Sequence, residues 1–261
     1  MTDMDFSLDG ISALTKHFET TNIYVPPLPD IDEEITSIPR IPGVITENEK
    51  LSRKPINVKG ILRGTSHSNL LARMSDFSEY LYSGSNKKFA RYGLTDRYYW
   101  VKCTRPMPEP AVLVNFAMYE IFFTCNDPFA YDNTPDTDDR TITIKDDAYI
   151  IANGGHYWAY PVITVTFNQP QNHIYIQNNG IDGNRFDISK AFIINDELEV
   201  DCKNGTVKLN GSNNPVGFGD GGEGCLDFII LSKGNNEIQV GTDDETINID
   251  VNFNFRKAYL Y

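Results

Sequence analysis

Between residues 247 and 256 apolar and polar side chains alternate without a break. Ile247, Ile249, Val251, Phe253 and Phe255 take one parity, and Asn248, Asp250, Asn252, Asn254 and Arg256 the other. Period two belongs to strands, so this segment reads as a β-strand with one buried face and one wet face.

The chain before it has the same character. From Thr141 onward, about nine short strands are separated by turn signals at the spacing of a β-sandwich. One stretch carries much of this pattern. Asn153-Gly154-Gly155-His156-Tyr157-Trp158-Ala159-Tyr160-Pro161 is a turn leading to an X-Pro step, and Val162 to Phe167 is a strand. After a break at Asn168 to Asn172, His173 to Gln177 is a second strand, ending at Asn178-Asn179-Gly180. Asn204-Gly205 is a two-residue hairpin signal. If that pair is the whole loop, Cys202 faces Val207 and Val200 faces Leu209, which puts the apolar residues on one side.

The first half is β-rich with one helix. Phe6 and Leu8 alternate with polar residues, and His17 to Val25 has strand composition. Pro26, Pro27, Pro29, Pro39 and Pro42 then crowd an acidic segment, residues 26–42. Proline lacks an N–H, so this arm is extended and stays out of a central ladder, either as a solvated loop or lying on a neighbouring subunit. Strand character returns over 44–63. Leu70, Met74, Phe77 and Leu81 form a single helical stripe, which predicts a helix over about 68–83. Ser66 or Ser68 is placed to cap it and Gly84 to end it. Arg97 to Lys102 and Val112 to Thr124 are strands, separated by Pro106, Pro108 and Pro110. The acidic run from Asp132 to Asp139 reads as a loop, and a boundary near it divides the chain into residues 1–130 and 131–261.

Charge and cysteine usage limit the function classes. The net charge of −13 argues against nucleic-acid or membrane-surface binding, which need clustered Lys and Arg. No apolar run is long enough for a transmembrane helix. The acidic N-terminus, Met1-Thr2-Asp3-Met4-Asp5, has no apolar core of a signal peptide, so synthesis in a cytoplasm is expected. Cys103, Cys125, Cys202 and Cys225 show no metal-ligand spacing and read as buried free thiols.

Little here carries chemistry. His17, His67, His156 and His173 are scattered and match no zinc motif. There is no G-x-S-x-G elbow, and nothing marks a facing carboxylate pair. Asp132, Asp136, Asp138 and Asp139 lack the spacing, the glycine and the bidentate Glu of a calcium loop. Gly217 to Gly224 carries acids where a phosphate cradle carries Lys, and reads as a flexible loop. No catalytic residue, cofactor or metal site is therefore expected. Tyr157, Trp158 and Tyr160 are the candidate contact residues: exposed rings on a sandwich loop stack on sugars or on a partner, although such rings also anchor sandwich edges.

The order of these elements resembles the distal tail protein family of long-tailed, non-contractile bacteriophages. The resemblance rests on the helix Leu70 to Tyr82, Tyr98-Tyr99-Trp100-Val101, and Phe122 through Ala130. It continues through Asn153-Gly154-Gly155 with Pro161-Val162-Ile163, Leu198-Glu199-Val200-Asp201, the Asn-Gly hairpin and Leu231-Ser232-Lys233-Gly234-Asn235-Asn236. It runs from about residue 44 to the end, and the proline-rich arm has no counterpart in the pattern. The resemblance implies a mainly β protein whose N-terminal domain forms a hexameric ring and whose C-terminal domain is a galectin-like β-sandwich. It implies a non-enzymatic virion component at the siphovirus tail tip or baseplate. Its partners would be copies of itself, the tail tube protein, the tail-tip hub protein, the tape measure protein and, as in some relatives, receptor-binding proteins. The other readings are a carbohydrate-binding module assisting host attachment and a cell-envelope hydrolase, which would need a cleft with paired carboxylates.

Overall fold

The computed structural model describes residues 4–36, 45–82, 84–104, 111–212 and 227–261. The chain divides into two compact units, one up to Asn133 together with Leu260 and Tyr261, the other from Thr134 to Tyr259.

The first unit contains β1 (Phe6–Leu8), β2 (Ile11–Ser12), β3 (Phe18–Tyr24), β4 (Ile31–Thr36), β5 (Ile45–Leu51) and β6 (Lys54–Arg63). Helix α1 (His67–Leu81) follows, then β7 (Lys87–Arg91), β8 (Leu94–Cys103), β9 (Ala111–Val112), β10 (Phe116–Cys125) and β11 (Ala130–Asp132). The main sheet has the order β2-β1-β7-β8-β10-β6-β3. β10 runs antiparallel along all of β6, from Phe116 opposite Arg63 to Cys125 opposite Lys54.

The helix packs on β6 and β10 through an aromatic core. Phe77 stacks on Phe18 with ring centroids 4.6 Å apart, and Phe6 on Phe89 at 5.4 Å. Each such fully buried side chain contributes roughly 1.5–3 kcal/mol. Gly60 makes the close approach of Phe18 possible, since a Cβ there would lie 2.3 Å from the phenyl ring.

The observed helix starts one residue and stops two residues before the expected bounds. Ser66 caps it, its side chain accepting from the Asn69 N–H at 3.2 Å. It ends because Tyr82 turns into extended backbone (φ −68°, ψ 131°), so Gly84 is not its cap. Met74 is only half-buried, and Tyr80 is buried instead. The Tyr80 hydroxyl accepts from the Leu8 N–H at 3.0 Å and donates to the Ile11 carbonyl at 2.8 Å, so its polar tip is satisfied inside the core.

The proline-rich arm is not a lone extended segment over its described length. β4 pairs with β5 in a separate two-stranded ribbon, with Ile31 opposite Leu51. Pro26, Pro27 and Pro29 precede β4, and the ribbon stays out of the main sheet. The expectations for residues 37–42, for Pro106, Pro108 and Pro110, for the Gly217–Gly224 loop and for Cys225 fall outside the described residues.

The second unit is a two-sheet sandwich. Its strands are β12 (Asp136–Ile142), β13 (Asp147–Asn153), β14 (Val162–Phe167), β15 (Gln171–Asn178), β16 (Arg185–Phe192), β17 (Glu197–Asp201), β18 (Thr206–Leu209), β19 (Gly234–Gly241) and β20 (Ile249–Phe255). One sheet has the order β12-β20-β14-β17-β18 and the other β13-β19-β15-β16. Ile249, Val251, Phe253 and Phe255 face the core with Ile163, Val165 and Phe167 from β14 and Ile174, Ile176 and Phe186 from the opposite sheet. The alternation over 247–256 is therefore realised as a buried and a wet face.

Two expectations in this unit change. The acidic run is partly a strand: Asp136 to Ile142 pair with Phe255 to Ile249. Its outward positions are all polar, so composition resembles a loop, but the carboxylates are matched. Asp136 pairs with Lys257 at 2.6 Å, Asp138 with Arg140 at 2.8 Å, and Asp139 accepts from Asn252. The hairpin register also shifts by two residues, placing Val200 opposite Val207 and Leu198 opposite Leu209. The Asp201 carboxylate accepts from the Lys203 N–H at 3.0 Å and the Asn204 N–H at 2.9 Å, which holds residues 202–205 as a longer turn. A shift of two preserves parity, so the apolar residues stay on the core side.

Candidate functional site

The loop from Gly154 to Pro161 carries the three candidate aromatics, and its shape comes from buried polar chemistry beneath it. Asn153 closes β13 and is almost fully buried. Its amide nitrogen donates to the Tyr157 carbonyl at 2.9 Å and the Leu231 carbonyl at 3.0 Å, and its oxygen accepts from the Gly155 N–H at 2.9 Å. A Cβ on Gly155 would lie 2.9 Å from the Ala258 carbonyl oxygen, so the Gly-Gly pair lets the loop cross close to that backbone. The His156 and Tyr157 N–H groups both donate to Ala258 O, at 2.8 and 3.2 Å. Ala159 exchanges two 2.9 Å backbone hydrogen bonds with Leu231.

Ala159 is thereby buried, and its neighbours point outward. Trp158 is 47% exposed and Tyr160 38%. Tyr157 is half-buried, with its ring stacked on Trp158 at 5.7 Å and 28°. The structure thus places all three residues on one strapped loop and brings Tyr157 and Trp158 together. Two stacked rings with an exposed indole face suit a sugar or an apolar side chain, because the rigid loop leaves little entropy to lose on contact.

The residues that hold this region were not singled out as a set from sequence. Segment 228–232 joins no strand ladder beyond the Ala159–Leu231 bridge, and asparagine side chains take up its backbone. Asn184 donates to Phe228 O at 2.9 Å and accepts from Ile230 N–H at 3.0 Å. Asn178 donates to Ile230 O at 2.7 Å, and Asn153 to Leu231 O. Asn236 accepts from Ser232 N–H at 2.8 Å and donates to Ser232 O at 2.9 Å. Asn178 and Asn236 also bond each other at 3.0 Å. Buried amides with both ends used carry no desolvation penalty beyond what their partners return. The signal was present in Asn153-Gly154, Asn178-Asn179-Gly180 and Asn235-Asn236, which read locally only as turns.

His173 is the other buried polar centre. Its Nε2 lies 2.6 Å from Asp187 and its Nδ1 is 3.2 Å from the Asp243 N–H. Arg185 also holds Asp187, at 2.8 Å, and lies over the Tyr175 ring at 3.9 Å. The Thr242 hydroxyl donates to the His173 backbone carbonyl at 2.6 Å and not to the ring, whose two nitrogens are taken by Asp187 and the Asp243 N–H, so the cluster ties β15 to β16 rather than forming a nucleophilic site.

Hydrogen bonds favour the charged form of three carboxylates elsewhere. Hydrogen bonds from Asn57 hold Glu120 below its ordinary range, those from Asn172 do the same for Asp244, and that from Thr141 for Asp250. A general acid needs the opposite shift. Asp139, Thr141, Thr164, Thr166, Asp250 and Asn252 are among the residues lining a shallow depression of about 460 Å³ on the five-stranded sheet. Among the described residues no cluster of three or more His, Cys, Asp or Glu has metal-binding geometry, and Asp132, Asp136, Asp138 and Asp139 are not one. Burial pushes the Cys125 and Cys202 thiols up to about 12 and raises Cys103 as well, so none is an activated nucleophile.

Family models match both units of the chain. Residues 12–125 match the phage tail protein RIFT-related domain, and residues 154–259 match the siphovirus-type tail component, C-terminal domain. The crystal structure of phage SPP1 Dit, "a paradigm of hub adsorption apparatus in Gram-positive infecting phages", is similar over 97% of this chain and 98% of its own, with TM-score 0.76 and 16% identity. A chain of the phage P2 baseplate in its activated conformation with Ca gives a looser likeness, TM-score 0.47 and 11% identity over 97% and 98% of the two chains. No curated protein matches the sequence. The two family models take the two units in turn and together span most of the residues, and the chain belongs to the distal tail protein family of siphophages.

Proposed function

We propose that this protein forms a hexameric ring hub that joins the tube of a long non-contractile phage tail to the tail-tip and host-adsorption apparatus. The observation that carries this is the succession of two tail-component domains along one chain, with the fold of SPP1 Dit across 97% of it. In this reading residues 1–130 build the ring and residues 131–261 form the outer, galectin-like sandwich. Neighbouring copies, the tail tube protein and the tail-tip protein meet the first domain around the end of the tape measure. Receptor-binding proteins dock outside.

The physics supports such a role. A closed ring needs heterologous contacts between unlike faces of one chain. The main sheet offers edge strands β2 and β3, and the β4–β5 ribbon lies outside it. The net charge of −13 would let DNA pass a lumen without adhering. The role requires no catalysis. Light scattering across a concentration series tests the ring: a particle near six times the 29.5 kDa chain is expected. A monomer at every concentration, together with no ring in micrographs of protein mixed with tail tubes, overturns it.

The stacked Tyr157–Trp158 pair, with its exposed Trp158, favours a second reading, a carbohydrate-binding sandwich that assists attachment to the host surface. A glycan screen with Trp158→Ala as control separates the two. Binding lost in the variant supports the second reading, and no binding by either protein removes it.

A further inference from the structure

Four Asn-Gly steps occur among the described residues, at Asn153, Asn179, Asn204 and Asn210. Asn-Gly is the sequence in which an asparagine most readily loses its amide. The following backbone nitrogen must lose its proton and reach the side-chain carbonyl carbon, and glycine offers no Cβ to hinder it. The reaction therefore needs a free glycine N–H, a carboxamide able to turn, and access for water.

Three of the four sites fail on one of these counts. Asn153 is 1% exposed and both ends of its carboxamide are held. At Asn179 the Gly180 N–H is engaged by Asn178 Oδ1 at 3.0 Å, and the amide donates to Glu237 at 3.0 Å. Asn210 is clamped at both ends, its oxygen accepting from the Glu197 N–H at 2.9 Å and its nitrogen donating to Asp196 at 2.8 Å. Asn204 differs. It is exposed at the tip of the β17–β18 hairpin, and its carboxamide is held only through the nitrogen, by Asp201 Oδ2 at 2.7 Å. Among the described residues neither Asn204 Oδ1 nor the Gly205 N–H has a hydrogen-bond partner.

We propose that Asn204 is the deamidation site of the folded protein and that the fold protects the other three. The Gly205 nitrogen gives up its proton and bonds to Asn204 Cγ. The Cγ–Nδ2 bond breaks, and ammonia leaves a five-membered succinimide. Water then opens either carbonyl, giving aspartate or isoaspartate. Both products act on the turn. Aspartate places a second carboxylate against Asp201, which caps the Lys203 and Asn204 N–H groups. Isoaspartate adds a main-chain atom inside a turn whose Gly205 already sits at φ 63°. The hairpin would loosen with age while β14 still holds β17 from the other side.

The test is slow incubation at mildly alkaline pH, well below the unfolding temperature, followed by peptide mapping for the amide-to-acid mass change at each Asn-Gly step. In the folded protein Asn204 is expected to convert at least about tenfold faster than Asn153, Asn179 or Asn210, a factor worth about 1.4 kcal/mol in barrier. In urea that lead should collapse. Asn204→Gln should remove most of the ammonia released by the folded protein. Comparable folded-state rates at the four sites overturn the proposal, as does ammonia release unchanged by Asn204→Gln. An equal Asn204 lead in urea also overturns it, because sequence rather than fold would then set the preference.

Discussion

The ammonium of Lys54 donates to the carbonyl of Leu260, and Lys54 is fully buried where it does so. The first strand of the long β6–β10 pair is thereby fastened to a residue 206 positions later in the chain. Tyr99 lies beneath the same ammonium at 5.3 Å. Arg91 reinforces the attachment by donating to the Tyr261 hydroxyl at 2.7 Å.

Burial lowers the Lys54 pKa from its ordinary 10.5. Below 10.5 the unfolded chain holds this proton more tightly than the folded one, so the contribution of Lys54 is present above 10.5 and lost as pH falls through the folded value. Wild-type stability should therefore rise relative to Lys54→Met as pH climbs toward 10.5. Urea unfolding at pH 7 and pH 10.5 measures this. A difference that does not change with pH would show that Lys54 titrates as it does in water.

The Asn236 side chain bonds to four residues, Ile151, Asn178, Ser232 and Gly234. Asn236→Ala strands the buried Asn178 amide and the half-buried Ser232 N–H and should cost about 3–5 kcal/mol, given about 1 kcal/mol per bond and 1–3 for each stranded group. Asn235→Ala, at the exposed neighbouring position, should stay within about 0.5 kcal/mol. Thermal unfolding of the pair checks the contrast.

Gly60→Ala forces a Cβ to within 2.6 Å of the Glu19 carbonyl oxygen and 2.3 Å of the Phe18 ring. The first contact is with backbone and cannot be relieved by a rotamer change. A loss of about 1–3 kcal/mol is expected, as for an overpacked core. Chemical denaturation reads it, and an unchanged midpoint would mean that β3 moves freely away from β6.

Cys125 and Cys202 stay neutral in the fold because burial pushes both up to about 12. Their unfolded thiols ionise near 9, so the stability they contribute is complete below pH 9 and is lost as pH rises toward 12. Of the three cysteines among the described residues, a thiol reagent at pH 8 should label half-buried Cys103 first and these two only on unfolding. Rapid labelling of Cys202 in native protein would contradict its burial.

Trp158→Ala should change stability by less than about 1 kcal/mol, because nearly half of the residue already faces water. A partner or glycan held by the Tyr157–Trp158 pair should bind at least about tenfold more weakly, the loss typical of an aromatic contact residue. Calorimetry on the variant alone gives the first number and a binding titration the second.

Much of the fold was legible where periodicity is strict. The residues from Ile247 to Phe255 announce one buried face, and the sandwich core uses that face. The helical stripe was legible apart from Met74, which is only half-buried, and Tyr80, whose hydroxyl disguised a core position until Leu8 and Ile11 supplied its partners. The strand from Asp136 to Ile142 was not legible, because an outward edge filled with carboxylates reads as a loop until Lys257, Arg140 and Asn252 stand opposite them. Of the candidate site, the exposed rings were visible as residue types and their stacking was not.

By itself the sequence determined parity: which side chains of each strand and of the helix turn inward, since period two and period 3.6 are local properties of the backbone. Tertiary structure decided what parity leaves open. Asp201 chose between hairpin registers two residues apart, both of which bury Val200 and Val207. Asn153, Asn178, Asn184 and Asn236 became one clasp around residues 228–232. Each asparagine has a turn-forming reason to occur where it does. A buried amide, however, must find its partners wherever the fold brings them, and those partners lie up to 85 residues away.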